Sequence, residues 1–309
     1  MGRKMVVFGS FVMDLTGFGE QLPVPGETLL GASFKMGPGG KGSNQAIAAH
    51  RAGADITLIT KLGRDAFGRV AKDFYVSEGM DISHILEDEE KETGAALILV
   101  NQKTAQNMIM VMIGACGNVT REDVLRSERV IAEADFLLLQ LEINLDALEL
   151  IVEIASRNGT RIILNPAPFQ PLPDELLGKI DTVTPNETEV FGMTGVQVNG
   201  LDDAREAARR IRQKGVRNAV ITLGEKGCYV TDGEKELLLD RIEVDAIDTT
   251  GAGDAFNGGF VKALADGMDI FDAARYGNCV GALSVTRRGT APAMPSAAEV
   301  DALYEKTYG

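Results

Sequence analysis

Nine residues late in the chain, Asp248-Thr249-Thr250-Gly251-Ala252-Gly253-Asp254-Ala255-Phe256, separate two carboxylates by side chains too small to fill the space between them. The small, apolar run from Ala255 to Leu264 has helical spacing, which puts the glycines at a helix start. Unpaired backbone N–H groups and a partial positive charge make such a start a seat for a polyphosphate. Asp254 then falls in the first turn, aimed at the same anion. A carboxylate repels phosphate, so the placement suits chemistry more than binding: Asp254 would take a proton from a hydroxyl attacking the terminal phosphoryl group. An aspartate that only complements the helix dipole fits the same nine residues.

A second glycine-dense stretch, Gly37-Pro38-Gly39-Gly40-Lys41-Gly42-Ser43-Asn44-Gln45, precedes the helical run Ala46 to Ala52. Glycine there lets backbone come close to a ligand, and Lys41 and Asn44 are good partners for hydroxyls. Gly42 after Lys41 excludes a Walker A loop, and no GxGxxG follows the first strand, which argues against a dinucleotide fold. That strand, Lys4 to Phe11, is broken by Gly9-Ser10 and followed by Asp14, at the edge where open α/β sheets take their ligands.

The elements around these residues alternate. Strands are expected at Ile56 to Thr60, Phe136 to Leu141, Arg161 to Leu164, Thr182 to Thr184 and Ala219 to Leu223. Helices are expected at Ala66 to Ser77, Asp146 to Arg157, Glu187 to Met193 and Asp202 to Lys214. Such alternation implies an α/β fold, a mostly parallel sheet with helices on both faces. Polar residues recur at the strand ends: Glu142, Asn165, Asn186 and Thr222. Two further strands, Gly94 to Asn101 and Asn107 to Ile113, flank the polar turn Gln102 to Gln106. Met108, Met110 and Met112 alternate on one face of the second, as core packing, as an apolar lid, or as a dimer contact. With no repeat, low-complexity tract or linker, residues 1–309 read as one main domain with strand-built lid segments near 12–36 and 93–113.

Composition narrows the function. A formal net charge of −14 argues against nucleic acid or an anionic membrane as partner, so a bound phosphate must be held locally by backbone, metal and a few cations. Cys116, Cys228 and Cys279 show no CxxC spacing, which suits a reducing cytoplasm more than a disulfide framework or a zinc site. Only His50 and His84 are present, against a Ser-His-Asp triad. The apolar start, Met5 to Met13, is too short to span a membrane, and Val6 stands where a myristoylation signal at Gly2 needs Ser or Thr.

Five segments together carry a family resemblance: GGKGSNQA at Gly39 to Ala46, LNPAP at Leu164 to Pro168, TPNETE at Thr184 to Glu189, ITLGEKG at Ile221 to Gly227 and DTTGAGDAFNGGF at Asp248 to Phe260. In this order they resemble the ribokinase branch of the PfkB carbohydrate kinase family along essentially the whole chain. The resemblance implies a three-layer fold with a small β-sheet lid, ATP and Mg²⁺, and phosphorylation of a sugar hydroxymethyl group. It implies Asp254 as catalytic base, with Gly251, Ala252 and Gly253 as an anion hole. Asp14, Gly40, Lys41, Asn44 and Glu142 match sugar-contacting positions. Asn186, Glu189, Thr222, Gly224, Gly227, Gly253 and Asn278 match nucleotide-contacting positions, the NxxE pattern of Asn186 and Glu189 being linked to Mg²⁺ and phosphate. A monovalent cation site for K⁺ would fall at Asp248, Thr250, Ser284, Arg287, Gly289 and Ala293, largely through backbone carbonyls. One departure stands out. Where this branch carries SxNxD after the first strand, Ser10 and Asp14 are kept, but Val12 replaces the asparagine and can neither donate nor accept.

The resulting expectation is an ATP-dependent sugar kinase, cytoplasmic, acting on small molecules, homodimeric through the lid, with ribose as its substrate. A fructokinase-like or nucleoside kinase of the same family and a sugar- or nucleotide-binding sensor without catalysis are the alternatives.

Overall fold

The computed structural model describes residues 3–104 and 106–309; the Met1-Gly2 start and Ala105 of the polar turn lie outside the described residues. The chain begins β1 (Met5–Phe8), β2 (Val12–Gly19), β3 (Ser33–Gly39), α1 (Lys41–Arg51), β4 (Ile56–Gly63), α2 (Ala66–Ser77), β5 (Ile85–Asp88), β6 (Thr93–Asn101) and β7 (Asn107–Gly114). It continues α3 (Arg121–Arg126), α4 (Glu128–Ala132), β8 (Phe136–Leu139), α5 (Leu145–Arg157), β9 (Arg161–Leu164), α6 (Asp174–Leu177), β10 (Thr182–Val183), α7 (Glu187–Thr194), α8 (Leu201–Gln213) and β11 (Asn218–Thr222). The last elements are β12 (Cys228–Thr231), β13 (Glu236–Leu239), α9 (Ala252–Ala265), α10 (Ile270–Ser284) and α11 (Ala297–Tyr308).

Among the described residues the strands form two sheets. The larger runs β13-β12-β11-β10-β9-β8-β1-β4-β5, parallel except for the antiparallel β11-β12-β13 edge. Its central strands are apolar throughout because both faces are covered. Met5, Val7, Leu138 and Ile163 face a core shared with α1, α2, α9, α10 and α11. Val6, Phe8, Leu137, Leu139, Ile162 and Leu164 face the opposite core, shared with α3 to α8. Alternate residues of one strand thus serve two cores, the signature of a three-layer α/β architecture. Growth of the sheet reverses at β1, whose neighbours are β4 on one side and β8 on the other. A crevice at the carboxyl ends of β1 and β8 follows from that reversal.

The smaller sheet has the order β3-β2-β6-β7. Its two outer strands carry apolar side chains into solvent, including Phe34, Met36, Met108, Met110 and Met112. Since Met110 is 65% exposed, core packing does not explain the methionine stripe. Ile109 and Val111, on the other face of β7, are exposed as well.

Three expectations shift. The first strand stops at Phe8, because Gly9-Ser10 ends it and Val12 already pairs in the second sheet. Asp14 therefore reaches the crevice from β2, not from the edge of the main sheet. The glycine-dense stretch is helix from Lys41 on: Gly40, with φ of 89°, makes the turn a side chain would resist, and Gly42 is small enough for α1 to lie on Gly9 and Ser10. Likewise the late helix starts at Ala252, three residues before its apolar run.

Candidate active site

Gly251 takes the left-handed conformation, φ 79°, and caps α9 with no side chain on the helix's first N–H groups. Space around the Cβ position of Gly253 is open. No side chain covers the backbone N–H groups read from Gly251, Ala252 and Gly253, although the Ala252 N–H donates to Thr249 O at 3.2 Å and a ligand there would have to take its place; Asp254 follows one residue further in the first turn.

Asp254 is buried, and two neutral amides hold it. Asn44 Nδ2 donates to Oδ2 at 2.9 Å and Gln45 Nε2 donates to Oδ1 at 2.9 Å. Both donors come from α1, which crosses α9 at close range. A Cβ at Gly258, one turn after Asp254, would lie 2.5 Å from the Gln45 carbonyl oxygen. Glycine at 258 is what brings the two signature helices near enough for amide to meet carboxylate.

The other sugar-assigned residues converge here. Glu142, just beyond β8, accepts from the Lys41 backbone N–H at 2.9 Å and from the Ser10 hydroxyl. Burial, more than the Asp254 charge, raises its carboxyl above the usual value, although Lys41 and Ser10 pull the other way. The Asp254 carboxylate raises the Lys41 ammonium, against burial and with help from Glu142 and Glu189. Asp14 is pushed up to about 6, chiefly by burial and partly by the Glu142 and Asp254 charges, despite a hydrogen bond from Thr290. Gly39 leaves the room that the Asp14 carboxylate fills, and a Cβ there would collide with it. Gly40 supplies the turn that points Lys41 inward.

Glu189 is buried beside this group, its carboxyl raised by burial first. It forms a capping box with Asn186 at the start of α7: the Glu189 N–H donates to Asn186 Oδ1, and the Asn186 N–H and Nδ2 donate to the Glu189 carboxylate. Asn186 thus serves a helix start before any ligand, and it bridges Thr222 at the end of β11. Gly224 and Gly227 bracket the turn after Thr222, both with positive φ, and Gly227 packs against the backbone of Leu239 and Asp240. Asn278 reaches the same segment from α10, donating to Asp240 O at 2.9 Å and to the Tyr308 hydroxyl.

The cation candidates group around Asp248. Its carboxylate accepts from the N–H of Thr250 and of Gly289, 3.0 Å each. Burial would raise this carboxyl, but those hydrogen bonds and the Lys35 charge more than offset it. Ser284 O accepts from Arg287 N, Arg287 pairs with Glu299, and Ala293 N donates to Thr290 O. The Ser284 hydroxyl donates to Gly281 O at 2.8 Å, so the side chains of Arg287 and Ser284 are both engaged elsewhere, and any cation would be held chiefly by backbone oxygens, of which Ser284 O already accepts one hydrogen bond.

Four residues of the site were not assigned from sequence: Ser10's partner role aside, Gln45 and Thr290 lie directly against its members, and Gln140 and Asn165 reach it through Gln45. Gln45 adjoins Asn44 in the glycine-dense signature, a signal open to reading. Thr290 has none. Its hydroxyl donates to Pro38 O at 3.0 Å and sits 3.4 Å from Asp14 Oδ2, while its backbone lies against Gly251, so it joins the two ends of the crevice.

A family model described as pfkB family carbohydrate kinase matches residues 3–297. The chain is 42% identical to a ribokinase of Haemophilus influenzae over 97% of each chain, and 34% identical to a deoxyribokinase of Salmonella typhi over 94% of this chain and 95% of that one. Its fold is similar to that of Arabidopsis thaliana ribokinase complexed with ribose and ATP, with a TM-score of 0.90, 28% identity and 99% of each chain covered. With both signature helices meeting at Asp254 and the match running nearly end to end, the chain belongs to the pfkB family of carbohydrate kinases.

Proposed function

We propose that this kinase transfers the γ-phosphoryl group of ATP to the hydroxymethyl group of D-ribose. The observation that carries the reading is Asp254, buried at the open start of α9 and facing Asp14, Lys41 and Glu142 across the switch-point crevice. The relatives named ribokinase support the choice of sugar.

Asp14, Glu142 and Asn44 Oδ1 are acceptors, and Lys41 is a donor, so a ligand rich in hydroxyl donors suits them. Asn44 Oδ1 is buried without a partner among the described residues and would accept from such a hydroxyl. Asp254 takes the proton of the attacking hydroxyl as its oxygen bonds to the γ-phosphorus. The bond from that phosphorus to the bridging oxygen breaks, and ADP leaves with the electron pair. The N–H groups of Gly251, Ala252 and Gly253 meet the charge that grows on the transferred group. Asn186, Glu189, Thr222, Gly224, Gly227 and Asn278 form the nucleotide side. Among the described residues no three or more His, Cys, Asp or Glu converge as a metal cage, so the donor set fits Mg²⁺ arriving on the phosphates, with Glu189 the carboxylate at hand. When bound, that ion neutralises phosphate charge. A K⁺ ion at the backbone oxygens around Asp248 belongs to the same reading.

The four-stranded sheet serves as a lid that keeps water from the phosphoryl group. Its exposed methionine face meets a second copy, giving a homodimer. A cytoplasmic location, where ATP is supplied, fits three buried, unbridged cysteines. No helix is long and apolar enough to cross a membrane.

Val12 favours a second acceptor. Buried yet part of neither apolar core, it lies two residues from Asp14 on one face of β2, while Phe11 and Met13 point into the core. A deoxyribose, with one hydroxyl fewer, loses less against it.

The test is coupled ADP release with ribose, deoxyribose, hexoses and nucleosides, alongside calorimetric sugar binding. Asp254→Asn should lose at least about 10²-fold in kcat with sugar affinity retained. Wild-type turnover by that variant removes the assigned base, and sugar binding without any phosphorylated product supports a sensor instead.

A further inference from the structure

A run of neutral side chains, not a cation, locks the Asp254 carboxylate from below. Gln45 is fully buried in the second turn of α1 and uses both amide hydrogens: Nε2 lies 2.9 Å from Asp254 Oδ1 and 3.0 Å from Asn165 Oδ1. A carboxylate only accepts, so this orientation of Gln45 is dictated by Asp254. Its Oε1 is thereby turned to Gln140, whose Nε2 donates at 2.7 Å. Gln140 Oε1 is left buried with no partner among the described residues, which a buried acceptor does only at a cost. Asn165 passes the pattern on, donating to Thr184 O at 3.0 Å; the Thr184 hydroxyl donates to Asn257 Oδ1, and Asn257 Nδ2 to Gly253 O at 2.8 Å. The ends of β8, β9 and β10 are thus tied to the first turns of α9 at the Asp254 carboxylate and at the Gly253 carbonyl.

We infer that Gln45, oriented by Gln140, is a positioning residue for phosphoryl transfer. Its N–H fixes the plane of the Asp254 carboxylate so that the lone pairs not taken by Asn44 and Gln45 face the attacking hydroxyl. A neutral donor does this without cancelling the charge the base needs. An unpartnered acceptor at Gln140 has a physical account here: the amide is held in the one orientation that keeps Gln45 donating upward. The inference rests on the reading of Asp254 as the base.

Steady-state ADP release and sugar titration on the full chain test it, with Gln45→Met, Gln45→Glu, Gln140→Met and the Gln45→Met/Gln140→Met pair. Gln45→Met keeps sugar affinity and the ATP KM within about threefold and loses about 10- to 100-fold in kcat, the scale of a misplaced reacting group. Gln45→Glu regains kcat as pH falls, because a protonated Glu donates to Oδ1 while an ionised one repels it; a merely structural role gives no such profile. Gln140→Met loses less, and the pair loses less than the sum of the singles. Wild-type kcat in Gln45→Met, a sugar affinity that falls as far as kcat, or a parental pH profile in Gln45→Glu overturns the inference. If Asp254→Asn is inactive while Gln45→Met is not, this inference alone fails; if Asp254→Asn is active, the reading beneath it fails.

Discussion

Asp14 is the residue through which pH should act on sugar binding. As a proposed sugar contact it would accept on both oxygens when ionised but turn one into a donor when protonated, and burial, chiefly, has moved its carboxyl from 3.8 to about 6. The sugar KM is therefore expected to be flat above that pH and to rise as pH falls through it, in initial-rate assays at saturating ATP. Stability runs the other way. The folded chain binds a proton that the unfolded chain has lost, so the contribution of Asp14 is present below the unfolded pKa and is lost as pH rises through about 6. Asp14→Asn should then be more stable at neutral pH, by up to about 3 kcal/mol in denaturant titration, with no gain in acid and with sugar affinity lost. Two positions away, Val12→Asn restores a partner for a hydroxyl. Competition between ribose and deoxyribose should shift toward ribose by at least about fivefold; an unchanged ratio would place Val12 outside the acceptor pocket.

At the scale of elements, the site is the crossing of α1 and α9 over the ends of β1 and β8. The crossing depends on missing side chains. At Gly42 a Cβ would sit 2.5 Å from the backbone of Gly9 and Ser10, atoms that cannot rotate away. Gly42→Ala should lift α1 off the β1-β2 junction, lowering stability by about 1 to 3 kcal/mol in denaturant titration and raising the sugar KM. The added alanine has better helix propensity than glycine, so any loss reports the junction and not the helix. Lys41, Asn44 and Gln45 ride on that helix, which is why one methyl group should be felt by two proposed sugar contacts and by the residue that holds Asp254.

For the molecule as a whole, the small sheet is the surface on which assembly would turn. It presents Phe34, Leu97, Leu99, Met108, Met110 and Met112 to solvent, an apolar face that must outweigh the repulsion between two copies each of formal net charge −14 if they pair. An exposed apolar face of this breadth on outer strands invites pairing with its own copy. Met110→Lys is expected to turn a dimer into a monomer in light scattering at micromolar concentration. A monomeric parent would remove the dimer, though not the kinase.

Sequence alone determined the layered α/β fold, because runs such as Phe136 to Leu139 are apolar at every position and must be covered on both faces. It also determined the residues of the two glycine signatures, because a helix start that cradles an anion needs small residues at set spacing. Tertiary structure decided the rest. That Asp14 arrives from the second sheet, that Gln45 reaches Asp254 with Gln140 behind it and that Thr290 spans Asp14 and Gly251 are contacts between segments far apart in the chain. Local periodicity reports which face of an element is buried; it does not report what that face meets. Pairing of distant elements is set by the order of strands and the closeness of a helix crossing, and those exist only once the chain has folded.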